Sequence, residues 1–110
     1  MSHMQVLVGE MHKPRKPTGE DQAILDKVKE QYERQSGAKP RKFKAVLVRT
    51  QVVTGTNYFF KVDTGRDTYS HVRVFVPQPG LDEEPTLECF QADKTKDDEL
   101  VYFLADDNRL

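Results

Sequence analysis

The period of the apolar residues changes at Pro40, and that change limits the possible folds more than any other feature of the chain. Before it, Ile24, Val28 and Tyr32 recur every four residues with Leu25 beside them. That is the stripe of one amphipathic helix over roughly 20–35. Thr18 stands at the N-cap position, Glu20 and Asp21 bring negative charge to the first turn, and Ser36-Gly37 ends the helix. Pro40 forbids its return. Beyond Pro40 the period becomes two. Lys42 to Val53 and Tyr58 to Val62 are β-rich runs. Tyr69 to Val76 sets Val72, Val74 and Val76 on one face and His71, Arg73 and Phe75 on the other. Thr86 to Ala92 is a fourth strand. Thr54-Gly55-Thr56-Asn57, Asp63 to Asp67 and Pro77 to Gly80 read as turns. A helix followed by a meander predicts an α+β domain: a single amphipathic helix packed across a four- to five-stranded antiparallel sheet, its Ile24 stripe covering one face.

The 110 residues make one domain. With 17 basic and 18 acidic residues the net charge is −1, which leaves no basic face for nucleic acid. No apolar run approaches the roughly 18–20 residues a membrane-spanning helix needs. A single cysteine, Cys89, excludes an intrachain disulfide. With no secretory apolar region at the start, it predicts a reducing, cytoplasmic setting. Met1-Ser2-His3-Met4 reads as a cloning scar, 5–103 as the domain and 104–110 as a C-terminal extension. Residues 5–9 form a short apolar arm, and 10–19, with Pro14, Pro17 and Gly19, should be irregular.

Several residue groups can be weighed for chemistry. Asp63-Thr64-Gly65 spells the aspartic-protease signature, and a homodimer could pair two such carboxylates over one proton. Against this, an amphipathic helix comes first and no glycine follows Gly80, so an ordinary hairpin turn is the better reading. Cys89 lies in a strand with no helix N-terminus to activate it, and reads as a small apolar packer rather than a nucleophile served by His71. The histidines at 3, 12 and 71 lack ligand spacing. Residues 93–99 put Thr95 and Asp98 where a calcium loop needs a ligand and a glycine. No catalytic residue, metal site or cofactor is predicted. The remaining anomaly is Val52-Val53 beside a hairpin turn, an exposed apolar pair that serves no purpose unless something binds it.

That pair lies in Gln51-Val52-Val53-Thr54-Gly55-Thr56-Asn57-Tyr58-Phe59, which resembles the first hairpin loop of the cystatins, with Gln51, Val53 and Gly55 at the motif positions. Gly9, thirteen residues before Gln22, His71-Val72-Arg73-Val74-Phe75, Pro79-Gly80 and Asp97 to Phe103 extend the resemblance in order, closest to the disulfide-free stefin branch. The chain departs from the stefin pattern at Gln78, where an apolar residue is usual, in a longer arm before Gly9, and in Leu104 to Leu110. The resemblance implies a reversible, competitive inhibitor of papain-like cysteine proteases such as papain and the lysosomal cathepsins. Its protease-binding residues would be Leu7, Val8 and Gly9 of the arm, Gln51, Val52, Val53, Thr54 and Gly55 of the first loop, and Gln78, Pro79 and Gly80 of the second. It also implies activity as a monomer, with a domain-swapped dimer that straightens residues 51–55 and is inactive.

Overall fold

The computed structural model describes residues 9–78 and 84–105. The expectations for Met1 to Val8, for Pro79 and Gly80, and for the extension from Asp106 onward lie outside the described residues.

Thr18 caps the helix through a reciprocal pair. Its Oγ1 accepts from the Asp21 N–H at 3.2 Å, and the Asp21 carboxylate accepts from the Thr18 N–H at 2.7 Å. Arg15 grips the same carboxylate with two N–H groups, at 2.6 and 3.2 Å. Burial alone would raise the pKa of Asp21, but the bonds from Arg15 and Thr18 outweigh it and hold the carboxyl below its usual range. At the other end Gly37, at φ 74°, closes the helix in the left-handed conformation.

The single helix expected between these caps is instead two, α1 Gly19–Lys27 and α2 Lys29–Ser36. They meet at Val28, where the Val28 N–H turns to the Leu25 carbonyl at 3.0 Å in a tightened turn. The Tyr32 N–H then bonds to the Val28 carbonyl at 2.9 Å and the helix resumes. No glycine or proline lies between 20 and 36, so the sequence carries no mark of the joint. Leu25, Val28 and Tyr32 are the buried stripe, while Ile24 is only half-buried beside them.

The strands are β1 Lys44–Val52, β2 Gly55–Gly65, β3 Thr68–Pro77 and β4 Thr86–Lys94, antiparallel in the order β1-β2-β3-β4. Two helical glutamines tie the helices to both edges of this sheet. The Gln22 side chain donates to the Phe43 carbonyl at 3.0 Å and accepts from the Ala45 N–H at 2.8 Å. Gln31 accepts from the Leu87 N–H at 2.9 Å and donates to the Pro85 carbonyl at 3.4 Å. Each amide stands in for a missing strand neighbour.

Both turns are tighter than the sequence indicates. The first is only Val53 to Gly55, because Val52 pairs with Thr56 and Gln51 with Asn57. The second is Arg66-Asp67, both left-handed at φ 57° and 61°. The stretch from Gly9 to Lys16 is irregular, as expected, yet it follows the β1 edge. The N–H groups of Gly9, His12 and Arg15 bond to the carbonyls of Val52, Thr50 and Val48. Three arm residues advance for every two of β1, so the contact is intermittent. It covers part of an edge otherwise open to strand pairing.

On the sheet face away from the helices lies the tail. Leu100 and Phe103 are buried against Phe59 and Cys89, with Met11 and Leu47 at the rim. One basic side chain from each of three strands holds it. Arg49 donates to the Leu100 carbonyl at 2.8 Å, Lys61 to the Lys96 carbonyl at 2.6 Å, and Arg73 to the Phe103 carbonyl at 2.8 Å. An irregular segment leaves its carbonyls without ladder partners, and here side-chain cations supply them.

Candidate functional site

Three segments converge at the end of the sheet that carries the β1–β2 turn. Gly9 bonds to Val52 on one side. The turn itself occupies the middle. On the other side Pro77, the last residue of β3, pairs with Gly55, and Gln78 follows it, exposed. The sequence-predicted residues Gly9, Gln51 to Gly55 and Gln78 therefore lie together. Leu7, Val8, Pro79 and Gly80 are outside the described residues.

The five residues of the first loop divide into two kinds. Val52 is 56% exposed, among the most exposed large apolar side chains described. Thr54 is exposed and Val53 half-buried. Gln51, at 4% exposure, points inward and Gly55 is buried. Gly55 does not take a left-handed conformation, so the turn does not require glycine for its φ. Space requires it: a Cβ there would meet the Val76 carbonyl oxygen at 2.5 Å and the Phe75 ring at 2.8 Å. Gly9 is constrained likewise, since a Cβ would lie 2.7 Å from the Val52 carbonyl oxygen. Both glycines permit close approach of backbone to backbone.

Beneath the tip, Asn57 donates to Gln51 Oε1 at 3.0 Å, and Gln51 Nε2 donates to the Gly9 carbonyl at 2.9 Å. Sequence reasoning missed Asn57, which it assigned to the turn. Its role follows once the turn is placed at 53–55, because Asn57 then stands opposite Gln51.

The other candidates separate from this site. Asp63 accepts from the Gly65 N–H at 2.9 Å and pairs with Lys42 at 3.3 Å, the ties of a turn residue. His71 is buried, and that burial, with Lys94 and Lys61 nearby, lowers its pKa to about 4. Cys89 is buried within β4. Among the described residues no group of histidine, cysteine and acidic side chains could hold a metal, and no helix is long and apolar enough to cross a membrane.

The Cystatin domain matches residues 9–97. Leukocyte cysteine proteinase inhibitor 1 of Sus scrofa is 44% identical over 103 residues, 94% of this chain and 100% of the relative. Cystatin-A of Homo sapiens is 43% identical over 98 residues, 89% of this chain and all of the relative. Cystatin-B of Homo sapiens is 45% identical over 86 residues, 78% of this chain and 88% of the relative. With the Gln51–Gly55 tip, the Gly9 contact and the helix-on-sheet fold in place, the chain belongs to the cystatin family, in its stefin branch.

Proposed function

We propose that this chain is a reversible, competitive inhibitor of papain-like cysteine proteases, with papain and lysosomal cathepsins as targets. The observation that carries this reading is the contrast within one loop. Val52 stands exposed while the residues that shape its support, Gln51, Gly55 and Asn57, are buried. An apolar tip on a rigid base loses little entropy when it enters a cleft. Val52, Val53 and Thr54 are the contact residues of the first loop. Gln51 and Gly55 hold them in shape. Leu7 and Val8, which precede Gly9 in the chain, and Gln78, Pro79 and Gly80, which follow β3, complete the proposed set of contact residues. A wedge of this kind buries an interface of about 1,600 Å² in total, most of its energy in a few apolar anchors. The chain is an inhibitor and not an enzyme. The aspartic-protease alternative is not favoured, and a dimer swapped through residues 51–55 would lose the tip and be inactive. The working form is the monomer, and the setting is the cytoplasm.

The test is titration of the monomer against active papain with a fluorogenic substrate. We expect stoichiometric, reversible loss of activity. Val52→Asp should weaken it by about a hundredfold or more, as for a central anchor, while leaving the unfolding midpoint unchanged. Undiminished inhibition by Val52→Asp would overturn the role of the tip.

A further inference from the structure

We infer that Asn57 is a positioning residue for the N-terminal arm, acting through Gln51 on the carbonyl of Gly9. Its consequence for affinity rests on the inhibitor reading above, but the geometry stands without it. Gly9 is held at both backbone groups. Its N–H bonds to the Val52 carbonyl at 3.2 Å, and its carbonyl accepts from Gln51 Nε2 at 2.9 Å. A carboxamide has two ends of nearly equal size and opposite polarity. Only the Nε2 end suits the Gly9 carbonyl; the oxygen end would face another acceptor. Asn57 reinforces that orientation: its Nδ2 donates to Gln51 Oε1 at 3.0 Å, which leaves Nε2 facing Gly9. The pair lies out of water, with Gln51 4% and Asn57 5% exposed, where a wrongly turned amide leaves an acceptor unpaired. The same strand register that places Val52 at the tip places Asn57 opposite Gln51. The loop and Gly9 thus share one support, and Asn57 fixes the amide that holds the Gly9 carbonyl.

Two replacements separate positioning from simple packing. Asn57→Ala removes the donor at reduced volume. Asn57→Asp keeps the shape but offers only acceptors, so it draws Nε2 to itself and turns Oε1 against the Gly9 carbonyl. Each is made in the full chain and in a form beginning at Gly9, and inhibition and dissociation are measured with papain. We expect about a tenfold loss of affinity in the full chain, the worth of one buried hydrogen bond, expressed as faster dissociation. The form beginning at Gly9 should lose distinctly less, because only the loop's share of the common support is then felt. Equal losses in both forms, or none in either, would overturn the proposal. Hydrogen exchange of the Gly9 amide provides a readout free of protease. It should quicken by about tenfold in both variants while the Val48 and Phe60 amides stay as slow as before. Unchanged exchange at Gly9 would overturn the proposal outright. If the full chain does not bind papain at all, the inhibitor reading fails alone, and Gly9 exchange decides the positioning role.

Discussion

The two faces of the sheet are buried by different means. On the helix face Leu25, Val28 and Tyr32 pack on Phe43, Val48, Phe60, Val62, Val72 and Val74. Tyr32 sits between the rings of Phe43 and Phe90, at 5.0 Å from each. On the tail face the apolar cluster is small and shares its space with Lys61, His71 and Arg73. The Arg73 guanidinium lies over the rings of Phe59 and Tyr102, at 5.4 and 5.1 Å. Both buried side-chain nitrogens without a hydrogen-bond partner among the described residues, His71 Nε2 and Arg73 Nε, are on this face. Regular helices satisfy their own backbone and can present a dry surface. An irregular tail cannot, so the face it covers must supply polar partners.

The comparison breaks most directly at a phenylalanine on each face. Phe60→Ala should cost about 3–5 kcal/mol, because the helices above it are capped and tied and cannot collapse into the cavity. Phe103→Ala should cost less, about 2–3 kcal/mol, because the tail can settle or detach. Urea unfolding of both variants tests this, and equal losses would remove the distinction.

Between pH 6.5 and 4 the pH dependence should come chiefly from the tail face, because the depressed Asp21 carboxyl at the helix start acts mainly at lower pH. Burial beside Lys94 and Lys61, only partly offset by Asp98, lowers the pKa of His71 from 6.5 to about 4. Between those values the unfolded chain binds a proton that the folded chain refuses. Stability therefore falls as pH drops from about 6.5 to about 4, by roughly 2–3 kcal/mol from this residue. His71→Gln should flatten that stretch of the stability profile. An unaltered slope would show that the histidine is not its source.

The smallest effect concerns the edges of the helix face. Gln22→Ala and Gln31→Ala each leave a strand N–H without its partner and should each cost about 1–2 kcal/mol. Because the two amides serve opposite edges, the double variant should lose the sum. Thermal unfolding of the two single variants and the double measures this. A marked shortfall from additivity would mean that the helices shift as one body once either tie is cut.

The helix face was legible because its signals are local. Thr18, Gly37, the apolar recurrence and the alternation through β3 each act within a few residues; the structure reproduces the caps and the β3 alternation and buries Leu25, Val28 and Tyr32. The Val28 joint was not legible, because no glycine or proline marks it in the sequence. The hairpin tip was legible as a motif, but the motif did not say which of its members face out. Gln51 and Gly55 are as much a part of it as Val52, yet both are buried. The tail appeared in the resemblance but had no periodicity, and its bonds to Arg49, Lys61 and Arg73 span 30 to 51 residues of sequence.

The sequence by itself determined the α+β class, the caps, the four strands and the position of the Gln51–Gly55 hairpin. Each depends on residues that interact within one turn or across one pleat, and a period records them directly. Only the tertiary structure decided that Gly9 and Gly55 are required for space, that Asn57 sets the amide joining arm to loop, and that three cations hold the tail. These depend on the register of strands far apart in sequence, where a shift of one residue would turn every side chain to the other face.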